Sequence, residues 1–308
     1  MINTEKIKTT LRKAEKLADI YGCKLNLGFS GGKDSVALKY FADYYGIEYV
    51  ANFNNTQIEQ YREMIGFIKK NYPDVNIIHP DKENSFFELM KRKGIPSLFR
   101  RWCCNSLKHS NPKLSEYRVN LIGVRGEESA ARMRRGAISV FGRSDRAKKT
   151  QEKLRATFAS AGSEVRCEGG KDKVNIYPVF DLKERNVWDI IRTERLVIPD
   201  VYYSGVKRLG CAFCPFASYK QNLETIKYRP QIARAWLKVL SDEEFQSRQK
   251  NVVGRTNGAG LFYLYIKGSF LTNESFYKGL RYLSQKDLNG KTGLQVFEEY
   301  LKENNVCR

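Results

Sequence analysis

Phe29-Ser30-Gly31-Gly32-Lys33-Asp34-Ser35, FSGGKDS, stands between the apolar run LNLG at 25–28 and the helix-patterned run VALKYFADYYG at 36–46. A strand ending at Phe29 and a helix beginning near Asp34 place SGGK at the carboxyl edge of a sheet, where open α/β sheets bind ligands. Gly31 and Gly32 let the backbone turn tightly and approach a phosphate with no Cβ in the way. Backbone N–H groups at the helix start supply an anion site, helped by the helix dipole. Ser30 and Ser35 add hydroxyls, and Lys33 adds a cation. Asp34 cannot favour a phosphate by charge and is read as a helix cap or a Mg²⁺ ligand. The spacing differs from the GxxxxGK[ST] loop of kinases and GTPases.

Outward from this loop, strand and helix patterns alternate. KLNLGF, EYVANF, VNIIHP and VNLIGV read as strands; DSVALKYFADYYG, QIEQYREMIGFIKKNY and NSFFELMKRKG read as helices. Such alternation predicts an α/β, doubly wound, mostly parallel sheet covered on both faces. Gly136 to Lys173 loses apolar periodicity and reads as a basic, mobile loop, part of it open to a helical reading. KVNIYPVFDL and the helix ERNVWDIIRTERL follow. After Pro215 the helical segments QNLETIKY, QIARAWLKVLSDEEFQSRQ, ESFYKGLRYLS and LQVFEEYLKENN suggest a helical C-terminal appendage. The expected division is a domain over 1–217, with the basic loop at about 136–173, and the appendage over 218–308.

Charge narrows the partners. The 308 residues carry 54 Lys plus Arg against 34 Asp plus Glu, a net charge of +20. A solvated basic surface is the plain alternative, but a polyanion exploits the charge by counterion release. Nucleic acid, DNA or tRNA, fits better than one small nucleotide, which needs only a few cations. No apolar run approaches the ~18 residues of a membrane span, so the chain is expected to be cytoplasmic with no membrane partner. With seven cysteines, such a chain is not read as a disulfide framework. Cys23 and Cys167 read as incidental, as do the only histidines, His79 and His109.

Further along, the motifs resemble a known family. SGGKDS after the first strand is similar to the pyrophosphate loop of the adenine nucleotide alpha-hydrolase-like (PP-loop) ATP pyrophosphatases. RWCCNSLKHSNP resembles a segment of their phosphoadenosine phosphosulfate (PAPS) reductase-like branch. LIGVRGEESAARMR matches the branch's pattern through Gly123, Arg125, Glu128, Ser129 and Arg132. NIYPVFDLKERNVWDII resembles a third element, with Phe180 and Asp181 where the pattern has its first Trp context. VYYSGVKRLGCAFCPF resembles a fourth. The resemblance spans about 22–217. It implies that Ser30, Gly31, Gly32, Lys33, Asp34 and Ser35 hold ATP pyrophosphate and Mg²⁺. It also implies that Arg125, Glu128, Ser129 and Arg132 line the α-phosphate or acceptor side. Lys108, Arg125 and Arg132 also suit an oxyanion on physical grounds, since cations grip phosphate or sulfate oxygens.

Cys103–Cys104 and Cys211-Ala-Phe-Cys214 supply four thiols whose role stays open among an iron–sulfur cluster, zinc and unligated thiols. Adjacent cysteines are awkward for zinc, whereas all-thiolate ligation suits a [4Fe–4S] cluster. The resemblance points the same way, to the cluster-bearing reductases and to the ATP-pyrophosphatase component of DNA phosphorothioation systems. The intact loop favours ATP as substrate: an adenylating enzyme that activates a nucleic acid for sulfur incorporation. A sulfur donor such as a cysteine desulfurase is a natural partner, and an oligomer remains open. The alternatives are a PAPS or APS reductase releasing sulfite, with Cys307 on a frayed tail as nucleophile, and a non-catalytic nucleic-acid-binding protein whose loop senses nucleotide. ATP sulfurylase and FAD synthetase keep an ATP loop but leave four cysteines unexplained.

Overall fold

The computed structural model describes residues 4–109, 111–141, 144–159, 173–206, 208–248, 255–270 and 272–307. Two compact units emerge, and no single cut in the chain separates them. The first unit is Met1–Asn54, Glu63–Ile78 and Asn111–Arg208; the second is Asn55–Arg62, His79–Ser110 and Leu209–Arg308.

The first unit is the expected α/β layer. Its strands are β1 (Asn26–Gly28), β2 (Val50–Asn54), β3 (Asn76–Ile78), β4 (Val119–Ile122), β5 (Ile138–Val140) and β6 (Val174–Ile176). They lie in the order β3-β2-β1-β4-β6-β5. Every pairing is parallel except β5 with β6. The chain winds from β1 toward β3, then returns to lay β4 on the other side of β1, so the topological switch point falls between β1 and β4. Helix α1 (Thr4–Ile20) buries Ile7, Leu11, Ala14, Leu17 and Ala18, an apolar stripe at helical spacing. Helix α2 (Lys33–Tyr44) begins directly after the glycine loop.

A parallel sheet covered on both faces is normally apolar throughout. Here Leu25 and Leu27 are buried as expected, but Asn26, Asn52, Asn120 and Asn175 are buried too. Asn52 Nδ2 donates to Asn26 Oδ1 at 2.8 Å, Asn26 Nδ2 to Asn120 Oδ1 at 2.7 Å, and Asn120 Nδ2 to the Val174 carbonyl at 3.2 Å. Asn52, Asn26 and Asn120 thus form a row across the middle of the sheet that ends on the backbone of β6, which offsets their desolvation.

Three local expectations resolve or change. Within the basic stretch, β5 closes the sheet edge and the helical option holds over Asp145–Ala159, with Ala147 and Leu154 buried, where a loop was the other reading. Residues 160–172 and Arg143 lie outside the described residues. The helix expected over QIEQYREMIGFIKKNY is confined to α3 (Met64–Asn71). Upstream of it, Gln57 takes a positive φ of 67° and Glu59 bridges to Cys211 in antiparallel fashion. Tertiary hydrogen bonds there outweigh local helix preference: Gln60 N donates to Gly210 O at 2.9 Å and Ala212 N to Ile58 O at 2.6 Å. Third, Gly258–Ile266 is a helix the sequence did not announce, because nearly every residue of GAGLFYLYI is buried and no amphipathic period exists.

The second unit is helical. Besides α4 (Phe86–Lys93) it contains helices over Tyr219–Tyr228, Pro230–Leu240, Gly258–Ile266, Asn273–Ser284 and Gly293–Glu303. Trp236 is its centre, with ring centroids 4.6 Å from Tyr265, 5.6 Å from Phe86 and 6.1 Å from both Phe213 and Phe262. Cys307 packs against this core rather than fraying, next to buried Val306, whose N–H donates to Leu301 O at 2.8 Å. No helix among the described residues is long and apolar enough to cross a membrane.

The asparagine row makes a direct prediction. Asn26→Ala strands a buried donor on Asn52 and a buried acceptor on Asn120, so unfolding free energy should fall by about 2–4 kcal/mol. Urea unfolding that shows no loss would mean that the amides are not coupled through Asn26.

Candidate functional site

The carboxyl ends of β1 and β4 flank the switch point, and each is followed by a conspicuous loop: FSGGKDS after β1 and GVRGEES after β4. Gly31 takes a φ of +72°, and a Cβ there would lie 2.4 Å from Met64 Sδ. The loop is held by its own serines. Ser30 N donates to Ser35 Oγ at 3.1 Å, Gly32 N to Ser30 Oγ at 3.3 Å, and Ser35 Oγ to Gly32 O at 2.8 Å. Gly32 is the N-cap of α2 and provides no side-chain cap, so capping is not what Asp34, inside the first turn, does. The Lys33 N–H instead donates to the hydroxyl of Tyr202 at 3.2 Å.

Side chains converge on the same turn. Lys33 is buried, with Nζ 3.4 Å from Glu184 Oε1, 3.7 Å from Asp34 Oδ2 and 5.4 Å from the centre of the Tyr202 ring. Arg125 is buried as well and donates from Nε to Asp34 Oδ1 at 2.6 Å; its NH1 also pairs with Glu127. Desolvation opposes the guanidinium's charge, but Asp34 and the two glutamates more than restore it, so its pKa is raised. Glu128 accepts from Arg125 N at 3.0 Å and pairs with Arg132, while Arg208 NH1 lies 4.0 Å from its other oxygen. Ser129 caps the short helix Ala130–Arg135 by accepting from Arg132 N at 3.2 Å.

Two glycines let the loops meet. A Cβ on Gly123 would sit 2.6 Å from the Asp34 carbonyl oxygen and 2.9 Å from Ser35 N. One on Gly126 would strike the Phe180 ring at 2.9 Å. The structure therefore assembles Ser30, Gly31, Gly32, Lys33, Asp34, Ser35, Arg125, Glu128, Ser129 and Arg132 in the first unit. The sequence reading missed Tyr202, Glu184, Glu127 and Met64. Nothing local marks them, although Tyr202, Glu184 and Glu127 do fall inside segments already singled out for their motifs.

Lys108 stands instead with the cysteines of the second unit. Trp102–Cys104 is a helical turn that runs into a π-helical turn over Asn105–His109, a form frequent at functional sites. Cys211 closes the short bridge to Glu59, and its Sγ is 3.8 Å from Thr56 Oγ1. Between Cys211 and Cys214 the chain doubles back through Phe213, whose positive φ of 53° is uncommon for an aromatic residue. Burial of its ring beside Trp236 and Phe262 holds that conformation.

The thiols are unlike one another. A hydrogen bond from Cys103 favours the Cys104 thiolate over the opposing effect of burial, and Lys108 and Arg101 add their charge, bringing Cys104 down to about 5. Cys103 is correspondingly raised, first by that shared hydrogen bond and then by burial. Burial pushes Cys214 up. Lys108 has an exposed side chain by surface area, yet protein surrounds its ammonium closely enough for desolvation to oppose its charge. The Cys211 sulfur, with Cys104 behind it, outweighs that and raises its pKa. Cys307 is raised by burial, which lowers its thiolate population as a nucleophile. All of these cysteines are free thiols. Among the described residues no group of three or more His, Cys, Asp or Glu side chains is arranged to hold a metal ion.

A family model described as the phosphoadenosine phosphosulfate reductase domain matches residues 24–217, more than half of the chain. The chain belongs to that family. The motif resemblance to the PAPS reductase-like branch of the PP-loop proteins is thereby borne out, and the match takes in both candidate sites while ending before the last helices. Two uncharacterized proteins of Methanocaldococcus jannaschii are similar. One is 29% identical over 70% of this chain and 47% of its own length; the other is 24% identical over 77% and 44%. The chain thus spans about half the length of these curated relatives. Among solved structures, the PAPS reductase from Candida auris in its phosphate complex is 15% identical, with a TM-score of 0.40 and coverage of 65% of this chain and 87% of that one. The U34-tRNA thiolase NcsA from Methanococcus maripaludis, with its [4Fe-4S] cluster, is 17% identical, with a TM-score of 0.40 and coverage of 100% and 92%.

Two predictions follow from the geometry. Asp34→Ala leaves the buried Arg125 short of a carboxylate and should lower unfolding free energy by about 2–4 kcal/mol, with part restored in Asp34→Ala/Arg125→Met. A second substitution that only deepens the loss would refute the pairing argument. In metal-free, reduced protein at about pH 6, iodoacetamide should label Cys104 ahead of Cys103 and Cys214, because the thiolate is the nucleophile. Peptide mass spectrometry reporting equal labelling would show that Lys108 and Arg101 do not hold a thiolate there.

Proposed function

We propose that this chain is an ATP-dependent adenylating enzyme, converting ATP to AMP and pyrophosphate to activate a nucleic acid for sulfur incorporation. The observation that carries the reading is the SGGKDS turn at the switch point: a glycine loop opening α2 with no side-chain cap, beside buried Lys33. Backbone N–H groups and one cation suit the β and γ phosphates of a leaving pyrophosphate. Internal serine oxygens and the Tyr202 hydroxyl accept from some of these N–H groups now, and phosphate oxygens would replace them. Asp34 is the residue that would hold Mg²⁺, at the cost of loosening its pair with Arg125, and the ion would supply positive charge against the phosphates.

In this reading an acceptor oxygen bonds to the α-phosphorus as the bond to the bridging oxygen breaks, and pyrophosphate leaves with that electron pair. A sulfide-level sulfur from a donor then displaces AMP, which carries the former acceptor oxygen away. Arg125, Arg132 and Arg208 supply positive charge for the α-phosphate side once the carboxylates that now pair them yield. Cys103, Cys104, Cys211 and Cys214 would hold the [4Fe–4S] cluster once their side chains turn toward one another, since as they stand they are not arranged as a metal site. Four free thiols, one already favouring thiolate beside two cations, suit that anionic ligation. Such a cluster would organise its unit or bind sulfur for transfer. The basic residues along Asp145–Ala159, with the net charge of +20, suit a polyanionic acceptor. A cytoplasmic setting belongs to the same reading.

The second reading, a PAPS or APS reductase releasing sulfite, draws on the description of the family itself. The packed, proton-retaining Cys307 weighs against its nucleophile.

The deciding experiment follows ATP labelled at the α phosphate, under anaerobic conditions, with and without DNA and tRNA. AMP formation stimulated by one nucleic acid, and abolished by Ser35→Ala, is the expected result. An absence of ATP turnover, with sulfite released from PAPS or APS in the presence of thioredoxin, would replace this reading with the reductase.

A further inference from the structure

The second unit exposes two phenylalanines on segments that carry the cysteines. Phe99 is 82% exposed and Phe216 is 62% exposed. Single exposed apolar residues need no explanation, but these two are presented by structure. Phe99 lies near the tip of a tight turn closed by Ser97 N donating to Arg100 O at 3.2 Å and Arg100 N donating to Ser97 Oγ at 3.0 Å. Phe216 lies in the turn after Cys214, where Ala217 N donates to Cys214 O at 2.8 Å. The Arg101 guanidinium sits over the Phe216 ring, 4.9 Å from its centre, and also hydrogen-bonds to Cys104.

Charge selects what can lie on these rings. Between Glu88 and Glu116 the sequence contains no carboxylate but carries Lys91, Arg92, Lys93, Arg100, Arg101, Lys108 and Lys113. An aromatic ring stacked with a guanidinium, on a stretch of chain rich in cations, is the pairing that single-stranded nucleic acids use. Bases stack on the ring while phosphates meet the cations. A protein partner with a merely apolar surface would gain nothing from the positive charge of this stretch, and a duplex would keep its bases inside.

We propose that Phe216, stacked with Arg101, and Phe99 form a platform that receives unpaired bases of a nucleic-acid strand. This rests on the nucleic-acid acceptor reading and deepens it: the strand is held unpaired, next to the thiol-bearing turns. The shared chemistry is a base with its flanking phosphates, from DNA or RNA.

The test measures fluorescence anisotropy of short single strands of DNA and of RNA, and of the matching duplexes, with the full chain. Wild-type protein should bind single strands more tightly than duplex. Phe216→Ala and Phe99→Ala should each weaken single-strand binding by ~5- to 100-fold with unchanged circular dichroism and melting temperature, while Phe216→Trp retains affinity. A fluorescent purine base in the strand should be quenched on binding, and less so with the alanine variants. Either strand chemistry bound in this way supports the platform, and the tighter one names its source. Wild-type binding that is undiminished in the double alanine variant, or equal for single strand and duplex, overturns the platform and leaves the acceptor reading standing. Failure of the wild type to bind any nucleic acid overturns both.

Discussion

The ion pair between Arg125 and Asp34 is the constraint on which the first unit's site depends. A guanidinium as buried as that of Arg125 cannot stand without carboxylates, and the one it meets at 2.6 Å belongs to the first turn of α2. The pair ties the loop after β4 to the loop after β1, across the point where the winding of the sheet reverses. Gly123 makes the approach possible, since any side chain there would run into the Asp34 carbonyl. Glu127 and Glu128 then hold Arg125 from its own loop, through its side chain and its backbone. The shape of the SGGKDS turn thus depends on electrostatics between two segments as much as on its glycines.

The second unit relies on a different force. Its cysteine-bearing turn requires an aromatic residue, Phe213, in left-handed backbone geometry, a cost of about 1–3 kcal/mol that surrounding structure must offset. The ring cluster around Trp236 does so by burying Phe213. Cys104 and Cys103 diverge although they are adjacent because the hydrogen bond they share favours the thiolate on Cys104 and the thiol on Cys103; burial opposes both thiolates, and Lys108 and Arg101 add their charge in favour of the one on Cys104. The C-terminal helices therefore complete the core behind a cysteine site whose own residues precede them in the chain.

Much of this was legible. Apolar runs with short flanking helices announced the parallel sheet, and FSGGKDS, GVRGEES and the paired cysteines were each conspicuous before any coordinates. The failures share a cause. Gly258–Ile266 is apolar on every side, so helical periodicity had nothing to mark it. Ile58 to Gln60 abandoned a helical pattern because partners at Gly210 and Ala212 offered better hydrogen bonds. The basic stretch after Gly136 read as loop or helix alike because the helix Asp145–Ala159 buries only Ala147 and Leu154. Cys307 looked frayed because its packing lies on other helices.

By itself the sequence determined what depends on neighbours within a few residues: strand and helix periods, the α/β class, the glycine turn, and the supply of thiols and cations. Tertiary structure alone decided which of those groups are already engaged. Asp34 and Arg125 are 91 residues apart, and Lys33 and Tyr202 are 169 apart. No local pattern encodes such pairs. They form because a buried charge or N–H must find a partner, and the partner is whatever the winding of the sheet brings within reach.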